Sequence, residues 1–201
     1  MGAEQLMRFL AAPLSPSRVS RLRELSITNV MPETFGCIQR MLYHYAAQGT
    51  LTSFACTYPR DEISPTMIFD LRTLLQVRFL RFEVLLYRLN EETFITALLN
   101  KSNLPPNLVR LTLSFDDEEY YFGRERFTHD AGDYQRMDSI IVSSIPTTCY
   151  IDIQMKVSIF IRVSRKQEAA LRSKALELFP SLHATGKLTL TLDIVVSPYI
   201  T

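Results

Sequence analysis

The clearest order of apolar and polar positions lies near the C-terminus, where Leu188, Leu190, Leu192, Ile194 and Val196 alternate with Thr189, Thr191, Asp193 and Val195. Alternation with a period of two marks a strand that turns one face to a core. The same rule fits Ile151 to Val163. There Ile151, Ile153, Met155, Val157, Ile159, Ile161 and Val163 share one face, and Asp152, Gln154, Lys156, Ser158 and Arg162 fall on the other. A one-residue slip would bury those charges, so the pattern itself says which face points inward. Between the two strands a helix is predicted. Ser164 precedes Gln167 by three residues, the spacing at which side chains and backbone N–H groups cap one another. Leu171, Ala175 and Leu178 form its apolar stripe, Pro180 is expected to stop it, and Gly186 to turn the chain into the last strand. Strand, helix, strand is the order that favours a parallel pair with its crossover helix over the sheet.

The alternation of elements continues upstream. Leu22, Leu25 and Ile27 predict a short strand. A helix follows, opening at Pro32, carrying Phe35, Ile38, Leu42 and Tyr45 inward and closing before Gly49. Leu51, Phe54 and Cys56 predict the next strand, ended by Pro59, and Pro65 leaves room only for a short helical connection between Asp61 and Asp70. Leu71 to Leu86 is read as strand. Asn90 with Glu91 and Glu92 marks a helix start, Phe94, Ala97 and Leu98 its inner face, and Pro105-Pro106 its end. Val109, Leu111, Leu113 and Phe115 alternate as a strand, a polar loop runs from Asp116 to Asp130, and Met137, Ile140 and Ile141 mark a helix before Pro146. No stretch has a linker's composition, so one domain is expected over residues 1–201, with 150–201 as a C-terminal strand-helix-strand cap.

Two strand segments share a tighter phrase, Leu22-x-x-Leu25-x-Ile27 and Leu108-x-x-Leu111-x-Leu113, and Leu51-x-x-Phe54-x-Cys56 is a degenerate third. The phrase is that of leucine-rich repeats, whose stacked neighbours bury an apolar side that no single repeat can bury alone. Starts at Leu22, Leu51, Leu71 and Leu108 give spacings of 29, 20 and 37 residues, irregular against a usual range of about 20–29. The fold expected is therefore α/β, an irregular leucine-rich-repeat-like solenoid with a mainly parallel sheet and helices on the other side. The length of Ile151–Val163 departs from the short strands of such repeats. It is assigned to an atypical terminal cap, with a hairpin or mixed sheet as the alternative.

The chain resembles the leucine-rich-repeat region of fungal F-box proteins. The likeness is carried by Leu22-Arg23-Glu24-Leu25, by Leu104-Pro105-Pro106-Asn107-Leu108-Val109-Arg110-Leu111-Thr112-Leu113, and by the tail from Phe179 to Leu188. The resemblance implies a region that holds a protein target while a separate F-box module engages the Skp adaptor of a cullin ubiquitin ligase. An F-box should open with Leu-Pro and an acidic residue ahead of the repeats, whereas strand pattern here already begins at Leu22. Met31-Pro32-Glu33-Thr34-Phe35 follows a repeat strand and fits a proline-initiated helix better. Skp binding through this chain alone is not expected, which points to a fragment or a member without the F-box.

Composition narrows the rest. With 201 residues and 47% hydrophobic content, the chain can bury a continuous core. A net charge of +1, from 22 basic and 21 acidic residues, supplies no global field toward nucleic acid or an anionic membrane. No run approaches the ~18 apolar residues of a membrane span, Arg8 interrupts the only N-terminal apolar patch, and three cysteines are a poor disulfide framework. Cys37, Cys56 and Cys149 are expected as buried, inert thiols, and the setting as cytoplasmic or nuclear.

Phosphate loops, His-Glu-x-x-His, Cys-x-x-Cys and Gly-x-Ser-x-Gly do not occur, and six glycines leave little material for a nucleotide cradle. His44, His129 and His183 lie far apart without ligand spacing. No cofactor and no metal are expected. Asp116-Asp117-Glu118-Glu119 followed by Tyr120, Tyr121 and Phe122 reads as a solvated loop, with an acidic and aromatic contact loop as the sharper alternative. Basic residues recur at Arg18, Arg21 and Arg23, at Arg72, Arg78, Arg81 and Arg88, and at Arg162, Arg165 and Lys166. A nucleic-acid groove would need them on one surface together with exposed aromatics, and such binding is not expected.

The function these features favour is a non-catalytic protein–protein interaction module that takes an unidentified protein target on the exposed side of the repeat sheet. Strand alternation makes Ser26, Thr28, Thr57, Thr112 and Ser114 the candidate contact positions. An enzyme on an α/β scaffold with an unrecognised pocket is the rival reading, and a truncated member without independent activity is the third.

Overall fold

The computed structural model describes residues 22–28, 30–58, 67–85, 96–99, 103–117, 131–159 and 164–196. Within them six strands form one parallel sheet: β1 (Glu24–Ile27), β2 (Ser53–Tyr58), β3 (Phe79–Leu85), β4 (Arg110–Asp117), β5 (Tyr150–Ile159) and β6 (Leu188–Val196). Each strand pairs with the next in chain order, and every pairing is parallel. The described helices are α1 (Pro32–Gln48) between β1 and β2, α2 (Ala131–Ser144) between β4 and β5, and α3 (Arg165–Glu177) and α4 (Pro180–Ala184) between β5 and β6. No described helix is long and apolar enough to cross a membrane.

The register explains why the strands stack this way. Leu25, Phe54, Leu80, Leu111, Ile151 and Leu188 meet in one row across the sheet, and Ile27, Cys56, Phe82, Leu113, Ile153 and Leu190 in the next. Both rows face the core, fully buried in the four central strands. A shift of one residue in any strand would exchange an apolar row for a polar one, so hydrophobic burial and pairing specify the same register. The core continues into α1 through Ile38, Leu42 and Tyr45. It is tightened by rings: Phe35 of α1 stacks on Phe69 at 4.6 Å, and Phe69 meets Phe54 edge-on at 5.7 Å.

Local signals set several boundaries. Pro32 begins α1, and Gly49 ends it in the left-handed region at φ 65°, its N–H donating to the carbonyls of Tyr45 and Ala46. Ser164 and Gln167 form the expected capping box at the start of α3. Gly186 has φ 67° at the turn into β6. Pro180 does not simply stop a helix: α3 ends at Glu177 and Pro180 opens α4 as its first residue.

Three further expectations change. The strand read over Leu71–Leu86 occupies Phe79–Leu85 only, and Leu71, Leu74 and Val77 sit on successive turns, with Leu74 N–H bonded to Leu71 O and Val77 N–H to Leu74 O. Their burial every third residue is a turn period, not the alternation of a strand. Consequently the repeat phrase in this region begins at Val77, as Val77-x-x-Leu80-x-Phe82, and not at Leu71. Register-matched positions Leu25, Phe54, Leu80, Leu111, Ile151 and Leu188 are separated by 29, 26, 31, 40 and 37 residues. Third, Asp116 and Asp117 belong to β4 and not to a loop, since β4 pairs with β5 through Asp117. The hairpin or mixed-sheet alternative for the long strand β5 is excluded, because β5 is parallel to β4 and β6 along its length. The predicted helix after Asn90 and the end of the Ile151–Val163 pattern fall largely outside the described residues, apart from a helical turn at 96–98.

Candidate functional site

Residues that alternate with the core rows form the outward face of the sheet. One row runs Glu24, Ser53, Phe79, Arg110, Tyr150. The next runs Ser26, Ala55, Arg81, Thr112, Asp152, Thr189, and a third runs Thr57, Glu83, Ser114, Gln154, Thr191. All but Ser114 are exposed or half-buried, so helices and outward rows lie on opposite sides of the sheet wherever both are described.

The candidate contact residues are distributed over this face. Ser26 is exposed and shares a row with half-buried Thr112, while Thr57 and Ser114 share the row beyond. Thr28 is exposed just past the end of β1. Two of these hydroxyls are already engaged. Thr57 Oγ1 donates to Glu83 Oε2 at 3.0 Å, and Ser114 Oγ donates to Gln154 Oε1 at 3.0 Å. Ser114 is only 7% exposed, so its hydroxyl serves the cross-strand ladder and offers little to a ligand.

Larger side chains dominate the first row. Phe79 is 47% exposed and Tyr150 52%, with Arg110 in register between them; at about 4.8 Å per strand the two rings stand ~10 Å apart. Arg110 Nε lies 3.5 Å from Asp152 Oδ2, which orients the guanidinium over the face. Val109 and Leu75, 40% and 56% exposed, extend the patch. Val109 bonds through its N–H to Arg78 O, and Asn107 Nδ2 donates to Leu75 O at 2.9 Å. Four of the large apolar side chains that reach solvent thus gather where β3, β4 and β5 begin. Sequence reasoning passed over Phe79, Arg110 and Tyr150 because it favoured small hydroxyl residues. The available signal was an aromatic or arginine at an outward position of a strand, where burial cannot account for it.

The other candidate chemistries are dispersed. Cys56 and Cys149 are buried, and burial pushes both thiols up, Cys149 to about 11 and Cys56 further. Cys37 departs from the expected burial: it is half-exposed on α1, and its Sγ accepts from Arg40 Nη2 at 3.2 Å. His44 and His183 are exposed on separate helices, and His129 lies outside the described residues. No three His, Cys, Asp or Glu side chains stand close enough to hold a metal among the described residues. Of the basic residues, Arg23, Arg78 and Arg81 come to the sheet, Arg72 pairs with Asp70, and Arg165 and Lys166 are exposed on α3. The chain matches no protein-family model, no curated protein and no solved structure.

Proposed function

We propose that the chain is a non-catalytic protein–protein interaction module of the leucine-rich-repeat kind, taking a protein target on the outward face of its sheet. The observation that carries this reading is the row Phe79, Arg110, Tyr150, with Val109 and Leu75 beside it. Aromatics and arginine are the side chains that contribute most where proteins meet, and an exposed cluster of them on an otherwise polar face has no role in the core. Solenoid architecture is supported by parallel strands in chain order with the apolar phrase at the start of the first four. Target recognition for an F-box-type ubiquitin ligase, in cytoplasm or nucleus, is the pathway that the sequence resemblance adds.

The experiment places a photo-crosslinking p-benzoylphenylalanine at Tyr150 or, on the helix side, at exposed Leu176 in the full chain expressed in cells. A protein captured through position 150 and not 176 is then purified and titrated. Phe79→Ala/Tyr150→Ala is expected to weaken its binding about tenfold or more, in keeping with loss of hot-spot side chains. Equal capture at both positions, or unchanged affinity of the double variant, would overturn the reading.

A further inference from the structure

The outward face and the edge where its strands begin are unevenly charged along the strand direction. Where the strands begin, Arg23, Thr52, Arg78 and Val109 follow one another across the sheet through backbone hydrogen bonds, and Lys187 lies beyond them against Ile151. Arg110 and Arg81 stand one and three register positions further along the strands. Arg23, Arg78, Arg81 and Arg110 are exposed, Lys187 is half-buried, and the carboxylates interleaved with them are Glu24 and Asp152. Only Arg110 has an ion-pair partner among these cations in the described residues. Toward the other end of the strands the described outward positions carry acids, half-buried Glu83 on β3 and exposed Asp193 on β6.

We propose that the cationic end of this face binds an extended acidic segment of a partner protein, with carboxylates on Arg78, Arg81 and Arg110 and apolar side chains against Phe79, Tyr150, Val109 and Leu75. This rests on the interaction-module reading and adds the chemistry of the partner. The sheet spans about 24 Å from β1 to β6, the reach of roughly seven residues of extended chain. Guanidinium groups fit carboxylates through paired N–H donors, and Arg78 and Arg81, which have no ion-pair partner among the described residues, are available for that geometry. A single-stranded nucleic acid would also use arginines and rings, but three features favour the peptide. Glu24 and Asp152 stand within the cationic strip, Glu83 and Asp193 lie toward the far end of the face, and Leu75 and Val109 are aliphatic, which suits Leu or Ile side chains and offers no stacking platform. A peptide can space its carboxylates around those anions, whereas a phosphate chain is charged at every unit.

The test is selection of a displayed random 12-residue peptide library on the full wild-type chain, followed by fluorescence-polarisation titration of the enriched peptides and of an octauridylate. Enriched peptides are expected to be rich in Asp and Glu with interspersed apolar residues. Their affinity should fall tenfold or more in Arg78→Glu/Arg81→Glu, weaken with added salt, and fall in Phe79→Ala/Tyr150→Ala, while circular dichroism and melting midpoint of both variants stay at wild-type values. Arg78→Ala/Arg81→Ala, which introduces no new charge, should give an intermediate loss. Neutral or basic peptides that are lost in Phe79→Ala/Tyr150→Ala would overturn the acidic-partner inference and leave the interaction face standing. Peptides indifferent to both pairs of substitutions, or failure to enrich any, would overturn both. Tighter binding of octauridylate than of any peptide would replace the peptide by nucleic acid.

Discussion

Asp70 shows how much one side chain and its backbone can organise outside a regular element. Its N–H donates to Gln39 Oε1 at 2.9 Å and its carbonyl accepts from Gln39 Nε2 at 3.0 Å, so one amide of α1 reproduces both hydrogen bonds a neighbouring strand would have made. Its carboxylate accepts from Arg72 Nε and Nη2 at 2.8 and 2.6 Å and from the Tyr43 hydroxyl at 3.3 Å. The hydrogen bond from Arg72 is the leading reason its pKa is held below the ordinary 3.8. A carboxyl that ionises more readily folded than unfolded stabilises the fold above the unfolded pKa, and that contribution is lost as pH falls through the folded value. Wild type should therefore exceed Asp70→Asn in stability at about pH 7, and the difference should narrow as pH falls below the ordinary 3.8 and through the lowered folded value. Urea denaturation from neutral pH into acid checks it; a gap that does not narrow in acid would assign the effect to something other than charge. The arrangement was not readable in advance, since Gln39 and Asp70 are 31 residues apart and neither belongs to a motif.

At the scale of elements, the contact between α2 and α4 rests on a buried acid. Asp138 of α2 is 1% exposed, and its two carboxylate oxygens accept the N–H groups of Ser181 and Leu182 at 2.8 and 2.9 Å. Those donors belong to the first turn of α4, where a helix has no partners of its own, so α2 supplies the cap that Phe179 does not. Asp138→Ala should cost about 2–3 kcal/mol, because charge-assisted hydrogen bonds are lost and buried donors are left unmatched. Asp138→Asn, which keeps one acceptor, should cost less. Chemical denaturation of the two variants measures the order; equal stability of wild type and the alanine variant would show that α4 does not depend on this cap. Elements with their own terminal signals were legible: Pro32 and Gly49 bracket α1, and Ser164 with Gln167 opens α3. The start of β3 was not, because the apolar turn residues Leu71, Leu74 and Val77 run into the strand without a polar break.

For the whole molecule, pairing in chain order means that each strand is held by its sequence neighbours and that, among the described residues, β1 and β6 each pair with one strand. Stability should then grade from the centre outward. Hydrogen exchange read by mass spectrometry is expected to find β3 and β4 protected longest, β6 opening earlier, and four-residue β1 earliest. Uniform protection across all six strands would mean that the sheet opens only as a unit.

The apolar rows, most strand positions and the parallel β5–β6 pair follow from the sequence by itself, because alternation, caps and prolines act within a few residues and the chain carries those signals locally. Tertiary structure decided the third repeat, the Gln39–Asp70 and Asp138–α4 ties, and the outward row Phe79, Arg110, Tyr150. Each joins residues about 30 or more positions apart, and a surface formed by one residue from each of several strands exists only once the strands are in register.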